Sequence, residues 1–304
     1  MQGIPSTPVT ILMPVRNGAE WIAGALESLL AQEYENFEIL LVDDQSTDNS
    51  VHIAGEIVGD KLRIIKAEGQ GLARALALGV LASDTEYITR LDVDDCSHRT
   101  RISKQIMFLN QNPTHVLVGS NVNLTDKSGT KVGRSHFPLT DSAIRLRMLL
   151  GNPFAHSAVT FLRSAVLSAG NYWSPNAEPF PEDYHLWSRL ANLGQFANLE
   201  ECLVDYRVHP KGISYANQSI MRSHSSEISW DWFSMLGLAT PSNASLKEAW
   251  FTCYREASPL SAKQAFLVLH TLLRARRDNP QDFNSRAIRF KHYLTPISRM
   301  YARQ

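Results

Sequence analysis

The chain has 304 residues and a mass of 34.1 kDa, which is enough for one large α/β domain or for one domain with an appendage. Hydrophobic residues make up 44% of the sequence and charged residues 20%, values that exclude global disorder, collagen and a continuous coiled coil. Because 30 basic residues balance 30 acidic ones, binding to nucleic acid through bulk charge is not expected.

The first hundred residues alternate short apolar runs, which predict buried strands, with amphipathic segments, which predict helices. Strands are predicted at 9–13, 37–42, 62–65 and 87–91, and helices at 19–30, 52–58 and 72–81. Repeated strand–helix units imply a mostly parallel, Rossmann-like α/β sheet flanked by helices. Ligands of such sheets bind beyond the carboxyl ends of the strands, so the polar residues that follow the strands are expected to gather at one edge.

After residue 110 the pattern is mixed, and after residue 216 it is mostly helical. Further strands are predicted at 116–120, 158–162, 196–199 and 203–207, and further helices at 142–150 and 182–193. We therefore predict one domain over residues 1–215, with halves at about 1–110 and 111–215, followed by a helical C-terminal extension over 216–304.

The C-terminal part of this extension is basic. Residues 261–304 contain nine Lys or Arg and two Asp, a net charge of +7, which leaves −7 on residues 1–260. The apolar run 266–273 followed by Arg274, Arg276 and Arg277 predicts an amphipathic helix with a cationic end. Such a helix suits peripheral contact with an anionic membrane leaflet, and it equally suits a solvated face or a dimer contact.

The cysteines and the N-terminus bear on the compartment. Cys96, Cys202 and Cys253 have no metal-ligand spacing and imply no disulfide framework, which favours a reducing compartment. The N-terminus lacks the pattern of a signal peptide, and no window of about 18 apolar residues suggests a membrane span. The expected location is cytoplasmic, with peripheral contact at the inner face of the membrane as a further expectation.

Three carboxylates stand together where the fourth predicted strand ends, in Asp92-Val93-Asp94-Asp95. Such concentrated negative charge is costly unless a cation or hydrogen-bond donors neutralise it, and carboxylate oxygens suit Mg²⁺ or Mn²⁺. The alternative interpretation is that these three aspartates form an acidic turn that caps the next helix. His209, after the last predicted strand, either completes a metal site with Asp94 or is an ordinary surface histidine.

Two further motifs have both a structural and a functional interpretation. Glu182 and Asp183 open a helix, where they either stabilise its N-terminus or supply a general base for an acceptor hydroxyl. Gly69-Gln70-Gly71-Leu72-Ala73-Arg74 is an incomplete dinucleotide motif after the third strand, which excludes a nicotinamide site. Gly71 allows either a close approach to a ligand, with Arg74 available to a phosphate, or an ordinary turn. His156 either faces an acceptor or is a hydrogen-bonded loop histidine.

In combination these motifs resemble the family 2 inverting glycosyltransferases of the GT-A fold. The resemblance covers about residues 7–214 and is greatest to bacterial enzymes that build lipopolysaccharide or capsular polysaccharide. The segments that carry it are, in order, 9–17, 29–32, 37–44, 46–48, 71–72, 86–95, 182–187 and 206–209.

The resemblance implies a nucleotide-sugar donor, favours a UDP-sugar, and makes residues 1–110 the donor half and 111–215 the acceptor half. Asp44 would accept a hydrogen bond from the uracil ring, Asp92 would contact the ribose, and Asp95 would lie near the donor sugar or the acceptor. The other residues implied at the donor site are Pro14, Val15, Arg16, Asn17, Gly71 and Arg74. Many relatives carry Arg-Asn at the positions of Leu76 and Ala77, which this chain lacks.

The resemblance also implies the chemistry. Asp94, with His209, would hold Mn²⁺ or Mg²⁺, and Asp183 would be the catalytic base, supported by Glu182. The acceptor would be a hydroxyl of a glycan or a lipid-linked glycan, attacked through a single displacement that inverts the anomeric centre.

Three alternatives remain at this stage. A haloacid-dehalogenase-like phosphatase normally has its acidic motif after the first strand, not the fourth. A sugar-nucleotide nucleotidyltransferase would need a glycine-rich basic loop after the first strand, which Arg16-Asn17-Gly18 matches poorly. A non-catalytic glycan-binding protein on the same fold would not need Asp44, Asp92, Asp94 and Asp183 together.

Overall fold

The computed structural model describes residues 7–172, 181–210, 212, 218–235 and 244–255. Contacts divide the chain into two compact units. One comprises Met1–Phe137 and Phe154–Pro210, and the other comprises Pro138–Pro153 and Lys211–Gln304. A segment from the middle of the chain thus groups with the C-terminal region, and the domain division at residue 215 stays a prediction.

The first unit is an α/β structure. Its strands are β1 (Val9–Val15), β2 (Phe37–Asp43), β3 (Leu62–Lys66), β4 (Tyr87–Arg90), β5 (Cys96–Ser97), β6 (His115–Thr125), β7 (Lys131–Arg134), β8 (Thr160–Leu162) and β9 (Gln195–Arg207). Its helices are α1 (Ile22–Leu30), α2 (Ser50–Val58), α3 (Leu72–Ala82), α4 (Arg101–Gln111), α6 (Arg163–Ser168) and α7 (Glu182–Leu190), with short 3-10 turns at Gly59–Lys61 and His156–Ala158.

The strands form one sheet in the order β3-β2-β1-β4-β8-β6-β9-β5, with β7 paired to β6. The first four strands in this order, β3, β2, β1 and β4, are all parallel to one another, as the strand–helix alternation predicts. β8 then lies antiparallel between β4 and β6, and β6 pairs in parallel with β9. The predicted α/β sheet is therefore confirmed, and its parallel half carries the donor-side motifs.

β1 lies at the centre of the parallel half and is buried along its whole length. It extends through Pro14 to Val15, whereas the sequence predicts that it ends before Pro14. The reason is local, because β1 pairs with β4 only as far as Leu12, opposite Arg90. The missing N–H of Pro14 therefore falls where one side of the strand has no partner strand.

β9 is one strand, although the sequence pattern predicts two. Its pairing with β6 shifts between Leu199, opposite Ser120, and Cys202, opposite Asn121, so that Glu200 and Glu201 form a bulge. The bulge breaks the apolar alternation on which the prediction depends. The short elements β5, β7 and α6 are not predicted from the sequence either.

The second unit is helical where the structure describes it, with α5 (Asp141–Arg147), α8 (Gln218–Met235) and α9 (Ala244–Arg255). Phe233 of α8 and Trp250 of α9 have ring centroids 4.9 Å apart, and Ser229 Oγ donates to the carbonyl of Leu149 at 2.7 Å. The helical C-terminal extension is thus confirmed over the described residues. The predicted basic helix after residue 261 lies outside them. No described helix has the length and apolar character needed to cross a bilayer.

Candidate active site

The loops that follow β1, β2 and β4 meet at one edge of the sheet, as predicted. The N–H of Asp44 donates to the carbonyl of Val15 at 2.8 Å, which joins the ends of β1 and β2. A Cβ on Gly18 would come within 2.8 Å of Val93 Cγ2, so the loop after β1 packs directly against the Asp92–Asp95 turn. Glycine at position 18 therefore permits this close approach.

The four residues predicted to line the nucleotide base differ in exposure. Pro14 and Val15 are buried in β1, while Arg16 and Asn17 are exposed. Asn17 has a left-handed backbone (φ 56°), and its Oδ1 accepts the N–H of Thr47 at 2.8 Å. Its side chain therefore braces the loop after β2, and Arg16 is the long exposed side chain at this position.

Asp44 is buried and has one oxygen available. Its Oδ2 accepts the N–H of Gly71 at 3.0 Å and lies 3.9 Å from Arg16 Nη1. Its Oδ1 is buried and has no hydrogen-bond partner within the described part of the chain. A buried carboxylate oxygen without a partner is costly, which fits an acceptor for a ligand N–H.

The glycine turn holds Asp44 in place, and the donor-site role of Arg74 stays a prediction. Gly71 has φ 91° and ψ 173°, a backbone conformation that side-chain-bearing residues rarely adopt. Arg74 is exposed, and its Nη1 donates to Gln70 Oε1 at 3.0 Å. Leu76 and Ala77, where many relatives carry Arg-Asn, are buried on the inner face of α3.

The acidic turn is a compact cluster. One carboxylate oxygen from each of Asp92, Asp94 and Asp95 lies within 4.8 Å of the others. Asp92 forms an ion pair with the fully buried Arg90, and Ser157 Oγ donates to Asp92 Oδ2 at 3.1 Å. Burial alone would raise the pKa of Asp92, but the Arg90 guanidinium outweighs it and holds that pKa below its usual value. Asp92 is therefore an anion with an internal partner.

Asp94 and Asp95 are held by the end of β9. His209 Nε2 lies 3.0 Å from Asp94 Oδ2, and the N–H of Arg207 donates to Asp95 Oδ1 at 2.8 Å. Arg207 Nε also donates to the carbonyl of Asp94 at 2.9 Å. Asp95 Oδ2 is buried and has no hydrogen-bond partner among the described residues.

This donor set fits a hard divalent cation. Burial, followed by the charge of Asp92, raises the pKa of Asp94, and burial with the charges of Asp94 and Asp92 raises that of Asp95 well above its usual value. A cation would relieve this repulsion. Neighbouring ligands of an octahedral ion stand about 3 Å apart, which the contact between Asp94 and His209 matches. The residues that fit are thus Asp94, His209 and the unpartnered oxygen of Asp95.

Trp21, which the sequence analysis did not assign to the site, packs beside this cluster. Its ring centroid lies 4.6 Å from Arg207 Cζ and 5.5 Å from the centroid of the His209 ring. Lys127 Nζ lies 5.7 Å from the same indole. Because these groups cover Trp21, the indole supports the residues that hold Asp94 and Asp95.

The second part of the site lies at the start of α7, where Glu182 and Asp183 are both buried. Glu182 Oε1 lies 3.4 Å from His156 Nδ1, and His156 Nε2 lies 2.9 Å from the Tyr172 hydroxyl. Burial raises the pKa of Glu182 to about 7. Burial, followed by the charge of Arg90, lowers the pKa of His156 to about 3, so this histidine is neutral.

The 3-10 turn His156–Ala158 contacts both parts of the site. His156 contacts Glu182, and its neighbour Ser157 bonds to Asp92 and to Arg90. The negative charge of Asp183 acts on both His156 and Tyr172 and raises the pKa of each. The catalytic role of Asp183 and the ligand roles of the other residues stay predictions.

Four residues that contact the candidate site were not singled out from the sequence: Trp21, Arg90, Ser157 and Tyr172. Only Arg90 gives a signal in the sequence, because an arginine inside the apolar run 87–91 needs a buried anionic partner. His156 was considered, but its contact with Glu182 depends on residues far apart in the chain.

Comparisons with known proteins agree with this geometry. The family described as Glycosyl transferase family 2 matches residues 10–169. EpsE of Bacillus subtilis (strain 168), whose name describes it as a glycosyltransferase, is 30% identical over 220 residues, covering 71% of this chain and 77% of EpsE. The O-antigen biosynthesis glycosyltransferase WbnJ of Escherichia coli is 27% identical over 211 residues, covering 67% of this chain and 80% of WbnJ.

Solved structures share the fold. S. aureus TarS 1–349 in complex with UDP-GlcNAc has a TM-score of 0.62 at 14% identity and covers 87% of this chain and 79% of that one. The mannosyltransferase PcManGT of Pyrobaculum calidifontis, in complex with GDP-Man and Mn²⁺, has a TM-score of 0.54 at 15% identity and covers 99% and 89%.

These findings decide against the three alternatives, namely a phosphatase, a nucleotidyltransferase and a non-catalytic glycan-binding protein. The family match covers more than half of the chain, and the named relatives are glycosyltransferases. The chain is therefore a glycosyltransferase enzyme with the GT-A fold that belongs to glycosyl transferase family 2.

Proposed function

We propose that this enzyme transfers a sugar from a nucleoside-diphosphate donor, a UDP-sugar, to a hydroxyl of a glycan or lipid-linked glycan, with inversion of the anomeric centre. The observation that carries the proposal is the cluster of Asp92, Asp94 and Asp95 at the carboxyl end of β4, in a chain of this family. Ligands of parallel sheets bind at this edge.

The donor part of the proposal depends on Asp44 and on two similar structures. The unpartnered Oδ1 of Asp44 suits the ring N–H of a uracil base, and Arg16 stands beside it to stack on or pair with the donor. TarS holds UDP-GlcNAc and PcManGT holds GDP-Man, so a nucleotide sugar suits the fold while the base is a proposal for this chain.

Asp94 and His209 are proposed to hold Mn²⁺ or Mg²⁺, with the free oxygen of Asp95 close by. When bound, the cation supplies positive charge that neutralises the diphosphate leaving group. The complex of PcManGT contains Mn²⁺. We expect Asp94→Ala to weaken Mn²⁺ binding measured by calorimetry at least tenfold. Unchanged affinity would remove Asp94 from this role.

Asp183 is proposed to remove the proton from the acceptor hydroxyl as the oxygen attacks the anomeric carbon. The nucleoside diphosphate then leaves from the opposite face, which inverts the anomeric centre. Burial of Asp183 at the start of α7 supports this role, since a packed helix fixes the carboxylate.

The test measures release of nucleoside diphosphate from a panel of nucleotide sugars. We expect release from a UDP-sugar, and we expect Asp183→Asn to reduce turnover by about 10³-fold or more while UDP still binds. Wild-type turnover in Asp183→Asn would refute the assignment of the base. Release only from another nucleotide sugar would refute the UDP specificity and leave the transferase proposal standing.

We also propose a cytoplasmic location with peripheral contact at the inner face of the membrane, carried by the basic segment 261–304. In a flotation assay, the protein that includes residues 261–304 should float with vesicles that contain phosphatidylserine. It should not float with neutral vesicles. Replacing Arg274, Arg276 and Arg277 with glutamine should reduce flotation. Equal flotation with both kinds of vesicle would contradict the proposal.

A further inference from the structure

We propose that Tyr172 and His156 are positioning residues for the reaction: their hydrogen-bonded pair holds Glu182, and through it the first turn of α7 that carries Asp183. This inference rests on the proposed role of Asp183 as the base. Neither Tyr172 nor the contact between His156 and Glu182 has a role in the donor and cation sites described above.

The start of α7 needs such a support. Pro181 is the N-cap residue, and no side chain makes a capping hydrogen bond there. The contact between Glu182 Oε1 and His156 Nδ1, at 3.4 Å, joins the first helical residue to the rest of the domain. One turn later, the Trp187 ring packs edge-on against His156, with centroids 5.8 Å apart. His156 therefore contacts α7 on two successive turns.

Tyr172 fixes His156 from the other side. Its ring is completely buried, its hydroxyl lies 2.9 Å from His156 Nε2, and the two ring centroids are 5.5 Å apart. With one ring nitrogen at Tyr172 and the other at Glu182, the imidazole is neither free to rotate nor free to flip. Its tautomer is set by these two partners.

The backbone around Tyr172 is also tied to α7. Arg189, near the end of that helix, donates to the carbonyls of Ala169 and Asn171 at 2.6 and 2.7 Å. The N–H of Tyr172 donates to Asn171 Oδ1 at 2.8 Å. The turn that carries Tyr172 thus holds α7 at its C-terminal end through Arg189 and at its N-terminal end through His156.

The charged and titratable groups around Glu182 come from three other elements. Arg90 and Asp92 approach from β4 and the turn after it, His156 comes from the 3-10 turn, and Tyr172 follows α6. Asp183 is its neighbour on α7 itself. A displaced Glu182 side chain would therefore change both the orientation and the electrostatic surroundings of Asp183.

The first experiment compares Tyr172→Phe with Tyr87→Phe, which removes the same atom from another buried tyrosine. The Tyr87 hydroxyl donates to Asn110 Oδ1 at 2.8 Å at the opposite end of β4 from the site. Both variants lose one buried hydrogen bond, so we expect similar losses of thermal stability. With the nucleotide sugar that the wild type turns over, Tyr172→Phe should lower kcat about tenfold and leave the donor KM within about twofold.

The second experiment needs no substrate. In ¹⁵N-histidine NMR spectra, assigned with His156→Gln, the ring nitrogens of His156 should show a single neutral tautomer in the wild type. They should shift in Tyr172→Phe and in Glu182→Gln, and should stay unchanged in Tyr87→Phe. Ring signals that do not respond to Tyr172→Phe or to Glu182→Gln would overturn the network itself.

The two experiments separate this inference from the proposed function. Wild-type kcat in Tyr172→Phe, or an equal loss in Tyr87→Phe, overturns the positioning role even if the ring signals move. If the wild type releases nucleoside diphosphate from no nucleotide sugar, the proposed function fails, and the positioning role fails with it. In that case the spectra still decide whether His156 is held between the hydroxyl of Tyr172 and the carboxyl group of Glu182.

Discussion

The burial of Glu182 makes the stability of this enzyme depend on pH in a way that one substitution should remove. Glu182 has only 7% of its side-chain surface exposed, and its pKa is raised from 4.5 to about 7 by burial. The folded protein thus keeps a proton on Glu182 up to about pH 7, whereas the unfolded chain loses it near pH 4.5. Unfolding between these values releases a proton, so stability falls as pH rises through the interval.

The size of the effect follows from the two pKa values. An interval from 4.5 to about 7 corresponds to about 3 kcal/mol of stability lost at high pH, since each pH unit is worth about 1.4 kcal/mol. Between pH 5 and pH 8 most of this, about 2 to 3 kcal/mol, should appear. Glutamine has nearly the same shape as glutamic acid and does not ionise. The Glu182→Gln variant should therefore not lose this stability at high pH.

The assay is urea unfolding at pH 5 and pH 8, in EDTA so that bound metal does not contribute. The free energy of unfolding of Glu182→Gln, relative to the wild type, should rise by about 2 to 3 kcal/mol between the two pH values. Glu56→Gln, an exposed position on α2, is the control and should show a constant difference. If the difference in the free energy of unfolding between Glu182→Gln and the wild type is the same at both pH values, the reasoning is refuted. Glu182 would then have the same pKa in the folded and the unfolded protein.

Two further substitutions test the donor edge. Gly71→Ala should lower the free energy of unfolding by about 1–3 kcal/mol in urea, because φ is 91° there, and should weaken UDP binding. Gly55→Ala, in the open middle of α2, should be neutral or stabilising, and equal effects at the two glycines would refute the argument from φ. Trp21→Ala should weaken Mn²⁺ binding about tenfold by calorimetry, whereas Trp21→Phe should restore most of it. Full affinity in Trp21→Ala would show that the indole does not support His209.

Most of the fold could be predicted from the sequence because the strands of the parallel half are short, continuous apolar runs separated by amphipathic helices. That pattern also predicted where the polar loops would gather, since parallel strands share one carboxyl edge. The bulge at Glu200 and Glu201 could not be predicted, because alternation fails at a bulge in the same way as at the end of a strand. Pairing partners, rather than local composition, decide between those two cases.

The candidate site also has a part that could be predicted from the sequence and a part that could not. Asp44, Asp92, Asp94 and Asp95 follow strands, so sequence and topology suffice to bring them to one edge. The residues that support this edge are distant in sequence from the residues they contact, as when Trp21 packs against His209. Arg74 follows the glycine turn, is exposed and donates to Gln70, and its role at a phosphate stays a prediction.

The charges under the acidic cluster give the physical reason for proposing a cation at this site. Arg90 and Arg101 are both buried there, and Arg101 donates to the carbonyl of Arg90 at 2.7 Å. Burial lowers the pKa of Arg101 to about 9, although Asp95 opposes this, so Arg101 is still charged at neutral pH. Two internal positive charges thus face three carboxylates, and Arg90 is already committed to Asp92.

A diphosphate that approaches this edge brings more negative charge to Asp94 and Asp95, whose pKa values are already raised by burial and mutual repulsion. Either protons or a divalent cation must supply the missing positive charge, and the two compete for the same oxygens. Cation affinity should therefore fall as pH falls. Because the cation lowers the repulsion that the donor meets, and the donor in turn adds negative charge that attracts the cation, each should strengthen the binding of the other by the same factor.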